Sequence, residues 1–285
     1  MSVIPAASPL ISTTDLAAAL AGAPADRPIV LDVRWSLTGG DRAGYLSGHL
    51  PGAVFVDLDR ELAGPAGEGG RHPLPEARDL QEVWQLVGID ADSAVVVYDG
   101  GSALASARAW WLLRWSGLRT VRVLDGGFAA WIADPGRPTG SGAEKPARRG
   151  SVVVTPGAMP SVDVDGAAEA AASPSAVLVD ARAAARFRGE IEPLDPVAGH
   201  IPGSVNLPIG DLLSPDGTFR PAAELAAALA AVGVRAGTSV AASCGSGVTA
   251  CQLILAGEVA GLELALYPGS YSQWCALGRP VAVGG

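Results

Sequence analysis

Cysteine is scarce in this sequence, with three residues in 285. An odd, small number excludes a disulfide framework, and Cys244, Cys251 and Cys275 lack the paired spacing of a zinc site. A reducing compartment is therefore expected. Positive charge is also in deficit: 20 Lys and Arg face 29 Asp and Glu, for a net charge of −9. Nucleic-acid binding depends on clustered cations that meet phosphate, so that class is excluded and a small-molecule or protein partner is expected. Met1–Thr14 has no basic region and carries Pro5 and Pro9, which does not suit a secretory signal, and a cytoplasmic location is the default. Ala236–Gly257 is uncharged and long enough to imitate a membrane span. Its interior Cys-Gly-Ser-Gly would break a spanning helix, so the segment reads as strand, loop and buried helix, with no membrane partner.

What is present is apolar surface. Hydrophobic residues make up 49% of the chain, which has 7 Trp and exceeds the usual single-domain length. Two domains, each with its own core, are expected.

The chain is written twice. The first copy runs Ile29-Val-Leu-Asp-Val-Arg34, Gly48-His-Leu-Pro-Gly-Ala53, Val95-Val-Val-Tyr-Asp99, a helix pattern, and Leu124-Asp-Gly-Gly-Phe-Ala-Ala-Trp131. The second runs Val177-Leu-Val-Asp-Ala-Arg182, Gly199-His-Ile-Pro-Gly-Ser204, Val240-Ala-Ala-Ser-Cys244, a helix pattern, and Tyr267-Pro-Gly-Ser-Tyr-Ser-Gln-Trp274. Between them Asp134–Pro160 has the composition of an exposed linker with a strand-like run at Val152–Val154, and the boundary falls near Gly150. β-branched runs such as Val95–Val97 and Val121–Leu124 alternate with helix-length patterns such as Glu76–Val87 and Ala103–Ser116. This alternation predicts an α/β fold in which each half is a parallel sheet with helices on both faces. Ligands of such sheets sit beyond the carboxyl ends of the strands, which is where Asp99 and Cys244 fall.

A residue shared by both halves is most simply explained by the fold, whereas an asymmetric one invites a functional account. Cys244 stands where the first half has Asp99, and Gly245-Ser-Gly-Val-Thr249 stands where it has Gly100-Gly-Ser-Ala-Leu104. Arg186 replaces Thr38 and Arg188 replaces Gly40. A cysteine at a strand-to-helix turn faces the free N–H groups and positive end of the helix that follows, which favours its thiolate, as do nearby arginines. Gly245 and Gly247 let successive N–H groups curl inward around an anion. The bland alternative is a small buried cysteine. Trp110, Trp111 and Trp115 read as packing, and Cys251, two helical turns after Cys244, as a buried residue that would resolve an oxidised Cys244 only if exposed.

Cys244-Gly-Ser-Gly-Val-Thr-Ala250, the two Gly-His-x-Pro-Gly copies, Val179-Asp-Ala-Arg182, Arg186-Phe-Arg-Gly189 and the segment ending at Trp274 together resemble the tandem-domain rhodanese family over nearly the whole chain. The Cys244 loop is similar to that of the mercaptopyruvate sulfurtransferase branch. The resemblance implies two tandem rhodanese-like domains, an inactive one at 1–140 and a catalytic one at 156–285, joined by a linker at 141–155. It implies a sulfurtransferase without metal or organic cofactor. Sulfur from thiosulfate or 3-mercaptopyruvate would pass through a Cys244 persulfide to a thiol or cyanide, with thioredoxin among the acceptors. The N–H groups of Gly245, Gly247, Val248 and Thr249 would stabilise the sulfur anion. Arg186, with Arg188 as a second contact, would bind the donor's anionic end. Ser246 matches a serine that works with a histidine and an aspartate of the first domain, for which His49 and Asp41 are the candidates. One departure is that Ile191–Ala198 lacks the arginine that mercaptopyruvate enzymes usually carry there, while thiosulfate enzymes typically have basic residues at Gly245 and Ser246.

Three other readings compete. A non-enzymatic persulfide carrier or redox-sensing interaction protein would keep Cys244 without donor specificity. Gly245-Ser-Gly-Val-Thr-Ala250 also fits a dinucleotide pattern, but Glu263 precedes the next strand instead of following it. A cysteine phosphatase would need an arginine where Thr249, Ala250 and Cys251 stand.

Overall fold

A computed structural model describes residues 8–285, so half of the Met1–Thr14 stretch lies outside the described residues. In the first half, the strands are β1 (Leu10–Ile11), β2 (Ile29–Asp32), β3 (Trp35–Ser36), β4 (Gly39–Gly40), β5 (Val54–Phe55), β6 (Val95–Tyr98) and β7 (Val121–Leu124). Five of them form a parallel sheet in the order β1-β7-β6-β2-β5, and β3 and β4 make a separate antiparallel hairpin. In the second half, β8 (Ala176–Asp180), β9 (Val205–Asn206), β10 (Ser239–Ser243) and β11 (Ala265–Leu266) form a parallel sheet in the order β11-β10-β8-β9. The two orders correspond strand for strand. Ser161, bridged in parallel to Leu266, marks the place that β1 takes beside β7.

The helices needed to place the site are α1 (Thr13–Ala21), α2 (Arg42–Ser47), α3 (Leu58–Glu61), α4 (Ala77–Leu86), α5 (Leu104–Trp115), α6 (Gly127–Ile132), α7 (Val164–Ala172), α8 (Ala184–Phe187), α9 (Ala222–Ala231), α10 (Thr249–Val259) and α11 (Ser270–Ala276). Side chains alternate across each strand, so one face of the first sheet packs Val30 and Val96 with Leu16 of α1 and Trp131 of α6. The matching face of the second packs Leu178 and Ala241 with Ala167 of α7 and Trp274 of α11. The two inner faces do not form separate cores. Val95, Val97, Trp110 and Trp111 of the first half share one buried cluster with Val240, Ala242, Leu253 and Ile254 of the second, where α5 lies against α10.

The repeated motifs do repeated structural work. Asp32 accepts from Arg34, whose Nη2 also donates to the Gly48 carbonyl at 2.6 Å; Asp180, Arg182 and the Gly199 carbonyl repeat the arrangement at 2.8 Å. These ion pairs tie the end of β2 or β8 to the Gly-His-x-Pro-Gly turn. Val152–Val154 is not a strand: the expected exposed linker is stitched to the first half, with Gly150 N–H on Gln85 O and Val152 N–H on Ile89 O, and Val152 buried. Burying Val152 and Val154 outweighs the exposure their polar neighbours predict. Ala236–Gly257 divides into β10, a loop and α10, and among the described residues no helix is long and apolar enough to cross a membrane.

Candidate active site

Cys244 follows β10 directly and is only 1% exposed. Its Sγ accepts the N–H of Gly247 at 3.2 Å, so the loop folds back on the sulfur before α10 begins at Thr249. Gly247 is required there: its φ is +79°, and a Cβ would lie 2.3 Å from the Pro268 carbonyl. The Cys244 N–H donates to Ser270 Oγ at 3.1 Å, and that hydroxyl donates to Tyr267 O at 2.9 Å. Ser270 has φ +49°, a left-handed value, where the first half has Gly127 at +55°. A strained serine thus stands in for a glycine where its hydroxyl can hold the backbone of Cys244.

The first half shows what this kind of loop holds. Asp99, the counterpart of Cys244, turns its carboxylate into its own loop and accepts from the N–H groups of Gly101, Ala103, Ala105 and Ser106 at 2.9–3.1 Å and from the Ser106 hydroxyl at 3.1 Å. The strand-to-helix turn of this fold is therefore an anion cradle, filled by a side chain in one half.

Ser246, two residues after the cysteine, meets a histidine of the first half. Its Oγ lies 2.8 Å from Nδ1 of His72, and His72 Nε2 lies 3.2 Å from Oδ1 of Asp59 on α3. A carboxylate only accepts, so Nε2 carries the proton and Nδ1 accepts from Ser246. Trp35 of the β3–β4 hairpin donates its Nε1 proton to Asp59 at 2.9 Å and sets its ring edge-on to His72, with centroids 5.7 Å apart. Burial pushes the His72 imidazole below its usual range; Asp59 opposes the shift, and the cations of Arg108 and Arg71 add to it. His72 is therefore neutral near pH 7.

The structure does not bring His49 and Asp41 to Ser246. His49 is fully buried in its turn, with Nδ1 2.9 Å from Tyr45 O and its ring stacked on Tyr45 at 4.4 Å. His200 does the same in the other half, 2.8 Å from Phe187 O and stacked at 3.8 Å on Phe187. Both histidines serve the fold. Asp41 caps α2 by accepting the Gly44 N–H at 2.8 Å. The missed pair carried a sequence signal: of the chain's three histidines, the repeat accounts for two and leaves His72 unmatched.

A cavity of about 310 Å³ opens over Cys244 and is lined by Gly245, Ser246, Val248 and Thr249, with Arg186 from the second half and Arg71 and His72 from the first. Arg186 is held by Glu192, through Nε at 3.2 Å and Nη2 at 2.6 Å, and by Asp195 at 3.3 Å. Burial pushes the Glu192 carboxyl up, but hydrogen bonds from Arg186 and from the N–H groups of Leu194 and Asp195 outweigh it, and the net shift is down. Arg71 pairs with the same Asp195. Arg188 does not line this cavity; it is paired with Glu190 at 2.7 Å. Arg108 of α5 is fully buried and donates to the carbonyls of His72 at 3.1 Å, Pro73 at 3.2 Å and Gly247 at 3.4 Å, joining the first-half loop to the cradle from beneath. Cys251 is buried and donates its thiol proton to Gly247 O at 3.2 Å, and burial pushes that thiol up to about 12. It is poorly placed to attack an oxidised Cys244.

Two parallel sheets of one design, with a cysteine in the strand-to-helix cradle of only the second, define a duplicated α/β protein with one thiol at its cradle. The model of the rhodanese-like domain matches residues 12–134 and again 163–277. A Mycobacterium tuberculosis protein named as the thiosulfate sulfurtransferase SseB is 43% identical over 268 residues, covering 93% of each chain. A Pseudomonas aeruginosa protein named as a 3-mercaptopyruvate sulfurtransferase is 44% identical over 265 residues, covering 90% of this chain and 92% of that one. Both of those names are provisional. The crystal structure of SseA, a 3-mercaptopyruvate enzyme of Escherichia coli, superposes with a TM-score of 0.81 at 31% identity, over 93% of this chain and all of that one. The chain belongs to the tandem rhodanese family of sulfurtransferases.

Proposed function

We propose that this protein takes sulfur from 3-mercaptopyruvate, carries it as a Cys244 persulfide and hands it to a small or protein thiol. The 2.8 Å contact between Ser246 and His72 carries the choice of donor. In the first step the Cys244 thiolate attacks the donor's sulfur, the carbon–sulfur bond breaks, and its electron pair passes into the enolate of pyruvate. The transferred sulfur loses its proton and the enolate carbon gains one, leaving pyruvate and a Cys244 persulfide anion. A proton thus moves from sulfur to carbon, which a hydroxyl–imidazole–carboxylate chain beside the reacting atoms is suited to carry. Thiosulfate asks for none of this, because sulfite leaves as a stable anion. In the second step the acceptor thiolate attacks the outer sulfur and Cys244 departs as thiolate, which splits the transfer into two displacements. The cradle N–H groups favour the sulfur anion in both steps, and Arg186 binds the donor's carboxylate. Residues 1–140, 141–155 and 156–285 serve as supporting half, connection and catalytic half. Cyanide and thioredoxin are acceptors in this reading, and the compartment is cytoplasmic, in keeping with three free cysteines.

The test is intact mass and steady-state rates with each donor. Wild type gains one sulfur, about 32 Da, from 3-mercaptopyruvate, and Cys244→Ser gains none. Ser246→Ala lowers the rate from 3-mercaptopyruvate far more than loading from thiosulfate. Equal loss with both donors, or faster turnover of thiosulfate by wild type, overturns the choice of donor.

A further inference from the structure

Three arginines are buried among the described residues, and two of them, Arg34 and Arg182, are paired with Asp32 and Asp180. The third, Arg108, is not exposed at all and has no carboxylate partner among the described residues. Every acceptor it meets is a backbone carbonyl: Leu62 at 3.4 Å, His72 at 3.1 Å and Pro73 at 3.2 Å in the first half, and Gly247 at 3.4 Å in the second. A buried charge without a counter-charge is costly, so its presence calls for a reason beyond packing.

The duplication points to one. Gly247 is the third residue of the loop after Cys244, and Ser102 is the third after Asp99. Gln252 of α10, itself buried, donates its Nε2 proton to Ser102 O, just as Arg108 of α5 donates from Nη1 to Gly247 O. Each half thus reaches across to the same carbonyl of the other's loop. A neutral amide does so beneath the loop that holds Asp99, and a cation does so beneath the loop that holds Cys244. Joining the halves at this carbonyl therefore needs no charge. Nine residues after Asp99 stands Arg108, and nine after Cys244 stands Leu253, so the cation belongs to one copy alone.

We infer that Arg108 is a positioning residue of sulfur transfer: it fixes the His72 loop against the Cys244 loop, and its uncompensated charge keeps His72 in the neutral form that accepts the Ser246 proton. This rests on the proton-carrying role proposed for His72. One planar guanidinium holds the His72 and Pro73 carbonyls through Nη2 and the Gly247 carbonyl through Nη1. The imidazole and the residue whose N–H meets Cys244 Sγ are therefore set by the same side chain. The charged and titratable groups around the imidazole are Asp59 on α3, Arg71 beside it in its own loop and Arg108 on α5, with Cys244 and Arg186 across the cavity. Asp59 favours the protonated ring, and Arg108 and Arg71 oppose it. Arg71 is paired with Asp195, whereas Arg108 has no anion to offset it.

The experiment follows the ring signals of the three histidines by NMR across pH in wild type, Arg108→Gln and Arg108→Lys, with His72→Ala to identify the His72 signal. In parallel, kcat with 3-mercaptopyruvate and the rate of persulfide loading from thiosulfate are measured against pH, and circular dichroism verifies the fold of each variant. Arg108→Gln, which copies the amide of the mirrored contact, is expected to raise the His72 midpoint by about half a pH unit or more and to carry the acid limb of kcat up with it. Its kcat with 3-mercaptopyruvate should fall about 10- to 100-fold, and loading from thiosulfate much less. Arg108→Lys keeps the charge and loses the planar fork, so its His72 midpoint should stay near that of wild type while kcat falls. A midpoint that does not rise in Arg108→Gln, an equal rise in Arg108→Lys, or an equal fall with both donors overturns the assignment. If Arg108→Gln does not fold, the ratio of the two rates in Arg108→Lys decides, and a ratio equal to that of wild type overturns it. If wild type takes sulfur from thiosulfate and not from 3-mercaptopyruvate, the donor reading fails separately, and the His72 midpoint alone then judges Arg108.

Discussion

Ser246 and His72, 174 residues apart in the chain, meet at 2.8 Å across the junction of the two halves. The contact places an imidazole from one copy of the fold beside the cysteine loop of the other.

Replacing His72 by Ala is expected to lower kcat with 3-mercaptopyruvate by about 100-fold or more, the usual scale for a lost acid–base group. Persulfide loading from thiosulfate should change much less. His49→Ala is expected to do the opposite, costing about 2 kcal/mol or more in stability through an emptied, fully buried site while the folded fraction keeps its kcat. Stopped-flow loading and urea denaturation together separate the two.

The acid limb of kcat with 3-mercaptopyruvate should fall below pH 6.5, because burial lowers His72 from that ordinary value and its neutral form persists into acid. Asp59 opposes the lowering, so Asp59→Asn should move the limb to still lower pH while reducing the plateau. A pH–rate profile of the two proteins checks the direction, and a limb that moves upward in Asp59→Asn contradicts it.

Gly247→Ala should lose persulfide formation along with stability. A left-handed φ costs an alanine about 1 kcal/mol or more, and its Cβ would collide with the Pro268 carbonyl at 2.3 Å. Thermal melts and intact mass after exposure to donor measure both effects.

Asp99→Ala should destabilise the protein by about 2–3 kcal/mol, since several buried N–H groups lose their carboxylate. The KM for the donor should stay near the wild-type value. Arg188→Ala, which removes only an exposed pair with Glu190, is expected to change neither quantity. Denaturant titration and steady-state kinetics with 3-mercaptopyruvate test both variants.

The strands, the duplication and the cysteine loop were legible because each rests on local pattern. β-branched runs bounded by Gly and Asp become the strands that lead into the turns, and comparing Cys244 with Asp99 isolates the one cysteine that stands in such a turn. His49 and Asp41 were misread because a motif match says nothing of which surface a side chain faces, and the turn that holds His49 buries it against Tyr45. The comparison of copies had already paired His49 with His200. Extended to the loop after Val56, it leaves His72 without a partner: the matching stretch Leu207–Pro221 is shorter and has no histidine. No local pattern could have shown that Arg71 and Arg186 share Asp195, because that depends on how the halves dock. Likewise, Val152 and Val154 lie in a stretch whose polar composition gives no sign that α4 and its neighbours cover them.

The inner face common to both sheets has a consequence for how the molecule can be divided. Cutting the chain at the connection would leave each fragment with a raw apolar wall where α5 and α10 had met, and the fragment bearing Cys244 would lack Asp59, Arg71, His72 and Arg108. Neither fragment is expected to be stable or active alone. Produced in the same cell, the two should reassemble along that wall and recover turnover, behaving as the two subunits of a heterodimer whose covalent tether is dispensable.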